Sequence, residues 1–263
     1  MNDMNIGDTL LRIKSEYESA IRTATFSGDN YDNGAKAKEA LIRSQRLINY
    51  LHEFVKGEFL GQGVNTNKIV PRLDSDDPEM SIDGFFKPKK QDICIIPAIT
   101  LKLETERIIT VNVRSQLSSL TKNIDTLYER TFAESMNLHL KYPKQCLGEV
   151  YLIPTHEYDD KPMMNNIVRF KKITKIERYI RWFQAINSRS EPSGNDYKYE
   201  RVALIIVDFR PETPILYSST EQLIREGLIS VGTDVTMSGL TVDKFASDLL
   251  NVYSDRFDGK GLD

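Results

Sequence analysis

The chain has 263 residues, of which 40% are hydrophobic and 28% charged, and its formal net charge is −3. This balance is typical of a folded globular protein and excludes a global basic field, so a nucleic-acid partner would have to bind a local cationic patch. No apolar run reaches the roughly 20 residues of a membrane span, and the polar N-terminus has no signal-peptide core, so we expect a cytoplasmic protein without a membrane partner.

Helical spacing of apolar residues predicts that residues 1–60 form a helical N-terminal part. One helix is expected over about residues 7–26, and the polar residues 27–30 indicate a break after it. A second helix is expected over about residues 34–59. An acidic, proline-containing loop over residues 71–83 then separates this part from the strands.

Strand patterns dominate the middle of the chain and alternate with helical patterns. Apolar or alternating runs predict strands at residues 93–97, 108–113, 150–153 and 202–209. Helices are expected at about residues 115–140, 169–187, 220–226 and 242–257. The order predicts an α/β fold with a central mixed sheet flanked by helices. We predict one domain over residues 1–263, because a boundary in the polar segment 188–197 would leave the last strand without a sheet.

The two cysteines, Cys94 and Cys146, lie in apolar runs. Two isolated thiols favour buried structural roles in a reducing compartment. With three histidines and no paired ligand spacing, we do not expect a zinc site.

The candidate site begins at Asp92, which opens one predicted strand. On the next strand, Thr110, Asn112 and Arg114 share one face because side chains alternate. Antiparallel pairing of the two strands would bring Asp92 close to Asn112 and Arg114. A carboxylate, an amide oxygen and a cation could together hold Mg²⁺ and orient a phosphate.

The residues around Asp92 resemble the XhoI-type branch of the PD-(D/E)xK type II restriction endonucleases. In that branch a Gly-aromatic-Phe-basic-Pro segment leads to the metal-binding Asp, as Gly84-Phe85-Phe86-Lys87-Pro88 leads to Asp92 here. The next strand of the family ends in Glu-x-Lys-Ser-Gln, and Ser115-Gln116 match its end. Asn123 and Arg130-Thr131 fit the helix that follows.

The chain departs from this family at the metal site. Asn112 stands where the family has Glu, which removes one negative charge and should weaken Mg²⁺ binding. Arg114 stands where the family has Lys; it keeps the charge but is a poor general base. The missing carboxylate could come from the following helix, as Glu129 or Glu134, or from the N-terminal helices, as Glu53.

The resemblance spans residues 84–154, the nuclease-like core of a restriction-endonuclease-like domain. It implies a homodimeric, restriction-type endodeoxyribonuclease of phage defence that uses Mg²⁺, with Mn²⁺ as an alternative. Asp92 would anchor the metal, Asn112 would be a weakened ligand, and Arg114 would stabilise phosphate charge in the transition state. Gln116, with Ser115, would position the DNA backbone.

Two other interpretations stay open. In the first, a nuclease-derived protein has lost the metal site and binds DNA or a protein partner without cleavage, and Asn112 and Arg114 are its main support. In the second, an unrelated α/β protein shares the pattern by chance.

Two basic segments are candidate DNA contacts. One is the helix predicted at residues 169–187, whose cations would project opposite its apolar stripe. The other is the lysine cluster directly before Asp92. A solvated surface is the alternative interpretation of both. Together with the residues after the second strand, the candidates are Lys87, Lys89, Lys90, Ser115, Lys122, Asn123, Arg130, Lys171, Lys175 and Arg178.

Overall fold

A computed structural model describes residues 5–73, 75, 77, 79–97, 104–258 and 262, with the side chains at 121–123, 172 and 173 left out. The α-helices are α1 (Ile6–Thr23), α2 (Gly34–Arg43), α3 (Arg46–Gly61), α4 (Leu120–His139), α5 (Asp160–Met163), α6 (Ile176–Ile186), α7 (Thr220–Arg225) and α8 (Phe245–Phe257). The strands are β1 (Thr25–Phe26), β2 (Asp29–Asn30), β3 (Ile69–Val70), β4 (Met80–Ile82), β5 (Lys89–Gln91), β6 (Ile93–Ile95), β7 (Ile109–Ser115), β8 (Leu147–Pro154), β9 (His156–Tyr158), β10 (Phe170–Ile173), β11 (Arg201–Asp208) and β12 (Ile215–Tyr217).

Six of these strands form a mixed sheet in the order β12-β11-β8-β7-β6-β3. The strands β3, β6 and β7 pair antiparallel, whereas β7, β8 and β11 run parallel. A parallel pair needs a crossover connection, and α4 provides it between β7 and β8. The predicted α/β fold with a central mixed sheet and flanking helices is confirmed.

Alternation along β7 separates its two faces, as predicted. Ile109, Val111 and Val113 belong to the core that includes side chains of α1, α3 and α8. The opposite face carries Asn112 and Arg114, and the Arg114 guanidinium contacts α4. The polar side chains of β7 therefore lie between the sheet and α4.

The predicted helices differ from the structure in several places. The helix predicted over residues 7–26 ends at Thr23, because Thr25–Phe26 forms a strand. The helix predicted over residues 34–59 is divided at Gln45, whose φ of 62° interrupts the helical backbone. The helix predicted from residue 115 begins only at Leu120, because β7 continues to Ser115. The helix predicted over residues 169–187 is wrong at its start, where Phe170–Ile173 pairs with β9 as a strand.

A buried ionic cluster joins β8, β11, α4 and α8. The Glu200 carboxylate lies 2.8 Å from Arg256 and 3.1 Å from Arg189, and it accepts the backbone N–H of Leu147 at 2.7 Å. His139 lies 3.3 Å away. Burial alone would raise the pKa of Glu200, but these partners hold it below its ordinary value. A fully buried carboxylate is thereby compensated.

No helix within the described ranges is long and apolar enough to cross a membrane.

Gly148, on the central strand β8, allows α8 to pack directly on the sheet. A Cβ at this position would lie 2.7 Å from the Phe245 ring and 3.0 Å from Leu249. We expect Gly148→Ala to lower the free energy of unfolding by about 1–3 kcal/mol, because a well-packed core has no room for the methyl group. Urea unfolding followed by circular dichroism measures this change.

Gly57→Ala is the matched control, since Gly57 lies inside α3 with no atom within 4 Å of an added Cβ. This substitution should raise stability by about 0.5–1 kcal/mol, because alanine loses less backbone entropy in a helix. Equal effects of the two substitutions would contradict the packing of α8 on β8.

Candidate functional site

A cavity of about 610 Å³ lies at the end of β7, between the N-terminal helices and α4. We call it the Asp92 cavity. Polar groups from three parts of the chain meet in it: the bend before β6, the end of β7 with its loop, and α4. They are Asp92, Arg114, Ser115, Gln116, Ser118, Ser119, Thr126 and Arg130.

Asp92 lies at the bend where β5 gives way to β6. Its Oδ2 accepts the backbone N–H of Val113 at 2.7 Å, which holds the carboxylate beside β7. The side chain is 24% exposed. Burial raises the pKa of Asp92, and the Val113 N–H and the Arg114 charge oppose that shift. Asp92 and Arg114 therefore lie at the same cavity.

The Arg114 guanidinium is bound by two buried carboxylates. Its Nη2 donates to Glu134 Oε2 at 2.6 Å and its Nε donates to Glu149 Oε1 at 2.7 Å. Glu134 comes from α4, and Glu149 comes from β8, where the parallel register places it beside Asn112. These three side chains form what we call the Arg114 cluster.

One cation serves more than one carboxylate in this cluster. Burial raises the pKa of Glu149 to about 7; the Arg114 charge opposes this shift, and the charges of Glu134 and Asp92 add to it. Burial disfavours the charged form of Arg114, but the two carboxylates raise its pKa above the ordinary value. Removing Arg114 would leave two buried carboxylates without compensation, which is strongly destabilising.

Two of the predicted site residues, Asn112 and Gln116, make contacts within the protein that indicate a structural role. The Asn112 side chain is buried and does not line the Asp92 cavity. Gln116 lines it, but its Oε1 accepts the Tyr151 hydroxyl at 3.0 Å and its Nε2 donates to Ser119 O at 3.0 Å. These contacts fix the loop before α4. Ser115 is exposed at the cavity.

The other predicted metal ligands lie in different places. Glu134 is brought into the site, but Glu53 on α3 forms an ion pair with Lys56 at 2.7 Å. Glu53 does not line the Asp92 cavity. Glu129 is exposed and lines a neighbouring cavity instead. Of the three candidate replacements for the missing carboxylate, Glu134 alone contacts Arg114.

Two residues of the site were missed in the sequence. Glu149 stands in an apolar strand, and a lone charge in a buried run is the signal that could have identified it. His52 on α3 has its Nε2 4.0 Å from Asp92 Oδ2. Burial lowers the pKa of His52 to about 4, so it is neutral at pH 7. No local pattern in α3 distinguishes His52 from an ordinary core residue.

The oxygen ligands of this site, as they are arranged, do not fit a bound Mg²⁺. Glu134 and Glu149 are both held by the fixed positive charge of Arg114, and the Asn112 amide does not reach the cavity. Among the residues that the structure describes, no three His, Cys, Asp or Glu side chains converge as a metal-binding group.

A second cavity, of about 620 Å³, adjoins the first and shares Thr126 and Arg130 with it. Lys87 and Lys89, which precede Asp92, line this second cavity. Lys89 lies 4.0 Å from Glu134, whereas neither Lys87 nor Arg130 forms an ion pair with any described residue. Lys90 is exposed on the same strand. We call Lys87, Lys89, Lys90 and Arg130 the basic rim.

The cationic helix face predicted from residues 169–187 is wrong. Lys171 lies on β10 instead of a helix, and its ammonium group is 3.6 Å from Asp160 and 3.8 Å from Asp159. Arg178 on α6 is 3.6 Å from Asp125. Because α6 begins at Ile176, Lys175 only precedes it. The side chains of Lys122 and Asn123 lie outside the described part of the chain.

Neither models of protein families nor curated proteins nor solved structures match this chain in the comparisons made. The family that residues 84–154 resemble stays a prediction. The site must be interpreted from its own geometry.

The Glu149 proton links stability to pH. The folded protein raises this pKa from 4.5 to about 7, so between these values it holds a proton that the unfolded chain releases. The stabilisation is fully present below about pH 4.5 and is lost as the pH rises through about 7. Glu149→Gln should remove this dependence, so the stability of the wild type relative to the variant should fall by about 3 kcal/mol over the window.

Urea unfolding of both proteins at a series of pH values measures this difference. Glu129→Gln is the control, because Glu129 is an exposed carboxylate on α4 outside the Arg114 cluster. Its stability curve should stay parallel to that of the wild type. If the Glu149→Gln curve is also parallel, the proton does not reside on Glu149.

Proposed function

We propose that the protein binds DNA at the basic rim and does not hydrolyse it. The observation that carries this proposal is the pairing of Arg114 with both Glu134 and Glu149, which occupies these two buried carboxylates with a permanent internal cation. Such a protein would be derived from a nuclease and would have lost the metal site. DNA is the expected nucleic acid because of the restriction-endonuclease resemblance.

The basic rim supports an anionic partner. Lys87, Lys89 and Arg130 line one cavity, and Lys90 is exposed on the strand that carries Lys89. The chain as a whole has a net charge of −3, so a local patch is the arrangement that could bind phosphates. Cations that bind phosphates release counterions from DNA, which makes binding salt-dependent.

The second candidate is the Mg²⁺-dependent restriction-type endonuclease, with Mn²⁺ as the alternative metal. One observation favours it: Glu149 Oε2 is buried and has no hydrogen-bond partner among the described residues. Asp92 is also close enough to the cluster to influence the pKa of Glu149. The carboxylates of Asp92, Glu134 and Glu149 thus lie close enough to interact, although Arg114 pairs with Glu134 and Glu149.

A homodimer and a cytoplasmic location belong to the same proposal. The homodimer follows from the resemblance. The cytoplasmic location is proposed because the two cysteines are free and buried, as is typical of a reducing compartment. Sedimentation of the purified protein with and without DNA would establish its oligomeric state.

The DNA-binding proposal predicts a specific loss when two cations of the rim are removed. We expect Lys87→Gln combined with Arg130→Gln to weaken binding to a fluorescein-labelled oligonucleotide by about ten-fold, and to reduce the slope of log affinity against log salt by about two units. Fluorescence anisotropy with a 20-base-pair duplex and a 20-nucleotide single strand measures both quantities.

The matched control is Lys171→Gln combined with Arg178→Gln, which removes two cations already paired with acidic neighbours. Its affinity and salt slope should equal those of the wild type. The proposal is wrong if the wild type binds neither oligonucleotide, or if the rim variant and the control are indistinguishable.

Cleavage separates the two candidates. We expect the wild type to leave plasmid DNA intact with Mg²⁺ or Mn²⁺, because Arg114 holds the carboxylates that a cation would need. Gel electrophoresis after incubation measures this outcome. Discrete metal-dependent fragments that disappear in Asp92→Ala would establish the endonuclease in place of the non-cleaving protein.

A further inference from the structure

We propose that the loop formed by residues 84–88, which we call the Phe loop, binds unpaired bases of single-stranded DNA by stacking them on Phe85 and Phe86. This inference rests on the proposed DNA binding and specifies the form of DNA that is bound. The Phe loop connects β4 to β5, whose last and first residues, Ile82 and Lys89, pair with each other.

The two phenylalanine rings are unusually exposed. Phe85 is 68% exposed and Phe86 is 85% exposed. Single exposed apolar residues are common, but here Met136 of α4 and Leu140, which directly follows α4, are exposed at the same cavity. A contiguous apolar surface of this kind indicates a binding site more strongly than isolated residues do.

Asn137 of α4 holds the backbone of the Phe loop. Its Oδ1 accepts the backbone N–H groups of Phe86 at 2.8 Å and Lys87 at 3.2 Å, and its Nδ2 donates to Lys87 O at 2.8 Å. The backbone carbonyl of Asn137 accepts the N–H of Phe85 at 2.7 Å. Four hydrogen bonds thus fix the loop from one residue.

Gly84 makes this contact possible. A Cβ at this position would lie only 1.9 Å from Asn137 Nδ2 and 2.6 Å from Lys87 O. The loop is therefore pressed against α4 with both rings directed away from the core. A backbone fixed before binding reduces the entropy cost of ordering it on a ligand.

The balance of charge around the rings favours a nucleic acid as the occupant. Three cations, Lys87, Lys89 and Arg130, line the same cavity as the rings, against one carboxylate, Glu129. Neither Lys87 nor Arg130 has an ion-pair partner among the described residues. A single strand offers flat base faces beside a chain of phosphates, which matches aromatic rings flanked by cations. Paired bases of a duplex are stacked on one another, so their faces are not accessible to these rings.

The cavity of the rings also continues towards the Asp92 cavity through Thr126 and Arg130, which line both. Phosphates next to the stacked bases would therefore lie near Arg130. This continuity places the proposed base contacts on one surface with Lys87, Lys89 and Arg130 of the basic rim.

Three double variants of Phe85 and Phe86 test stacking as distinct from simple apolar contact. Substitution of both by Ala removes the rings, substitution by Leu keeps apolar bulk without a π face, and substitution by Tyr keeps the π face. Because both rings are exposed, thermal unfolding should be unchanged in all three. Anisotropy with fluorescein-labelled dT20 and with a 20-base-pair duplex measures binding.

We expect the Ala and Leu double variants to bind dT20 more weakly than the wild type, by about ten-fold for each of the two rings replaced. The Tyr double variant should bind as the wild type does. Residual binding should keep the salt slope of the wild type, because the basic rim is intact. A Phe86→Trp variant should also show quenching of the introduced indole by dT20, in excess of the signal from buried Trp182.

Each other outcome overturns the inference. If the Leu variant binds dT20 as the wild type does, apolar bulk and not stacking is responsible. If all three variants bind dT20 as tightly as the wild type does, the Phe loop does not contact DNA, while the proposed DNA binding stands. If the wild type binds neither dT20 nor the duplex, both proposals fail. If the ring variants lose binding only to an added vesicle or protein, the rings contact that partner instead of DNA.

Discussion

The Arg114 guanidinium joins three elements that are distant in the chain: β7, which carries it, β8, which contributes Glu149, and α4, which contributes Glu134. A buried arginine has to be compensated, and two buried carboxylates require a cation in return. The parallel register of β7 and β8 and the packing of α4 on the sheet must therefore satisfy the same contact. A shift of either element would leave a charge buried alone.

This internal pairing determines where an external anion can bind. The fixed charge of Arg114 is already balanced inside the protein, so it offers little attraction to a phosphate in the Asp92 cavity. Next to the two cavities, the described cations outside the Arg114 cluster are Arg130 of α4 and the lysines at and after the β4–β5 loop, of which Lys89 lies 4.0 Å from Glu134. The polar centre predicted from the sequence and the basic rim are thus adjacent but distinct.

The helix α4 positions both regions. Arg130, Glu134 and Asn137 follow one another at spacings of four and three residues, which places them along one side of the helix. Glu134 reaches inward to Arg114, Arg130 lies at the mouth of the two cavities, and Asn137 holds the Phe loop. The helix α4 therefore connects the Arg114 cluster with the exposed rings of the Phe loop. A displacement of α4 at one of these contacts should also displace the other.

The sequence by itself determined the features that local periodicity encodes. The alternation of β7 placed Asn112 and Arg114 on one face, the apolar run of β11 identified a buried strand, and the strand order predicted the mixed sheet. Asp92 and Arg114 line one cavity, whereas Asn112, predicted to converge with them, does not. Such patterns reflect the repeating geometry of strands and helices, which neighbouring residues share. Only the tertiary structure decided that Glu149, 35 residues from Arg114, would bind it and that Lys171 would be paired with acidic residues. Strand register and helix packing arise from contacts between distant parts of the chain, and no local spacing records them.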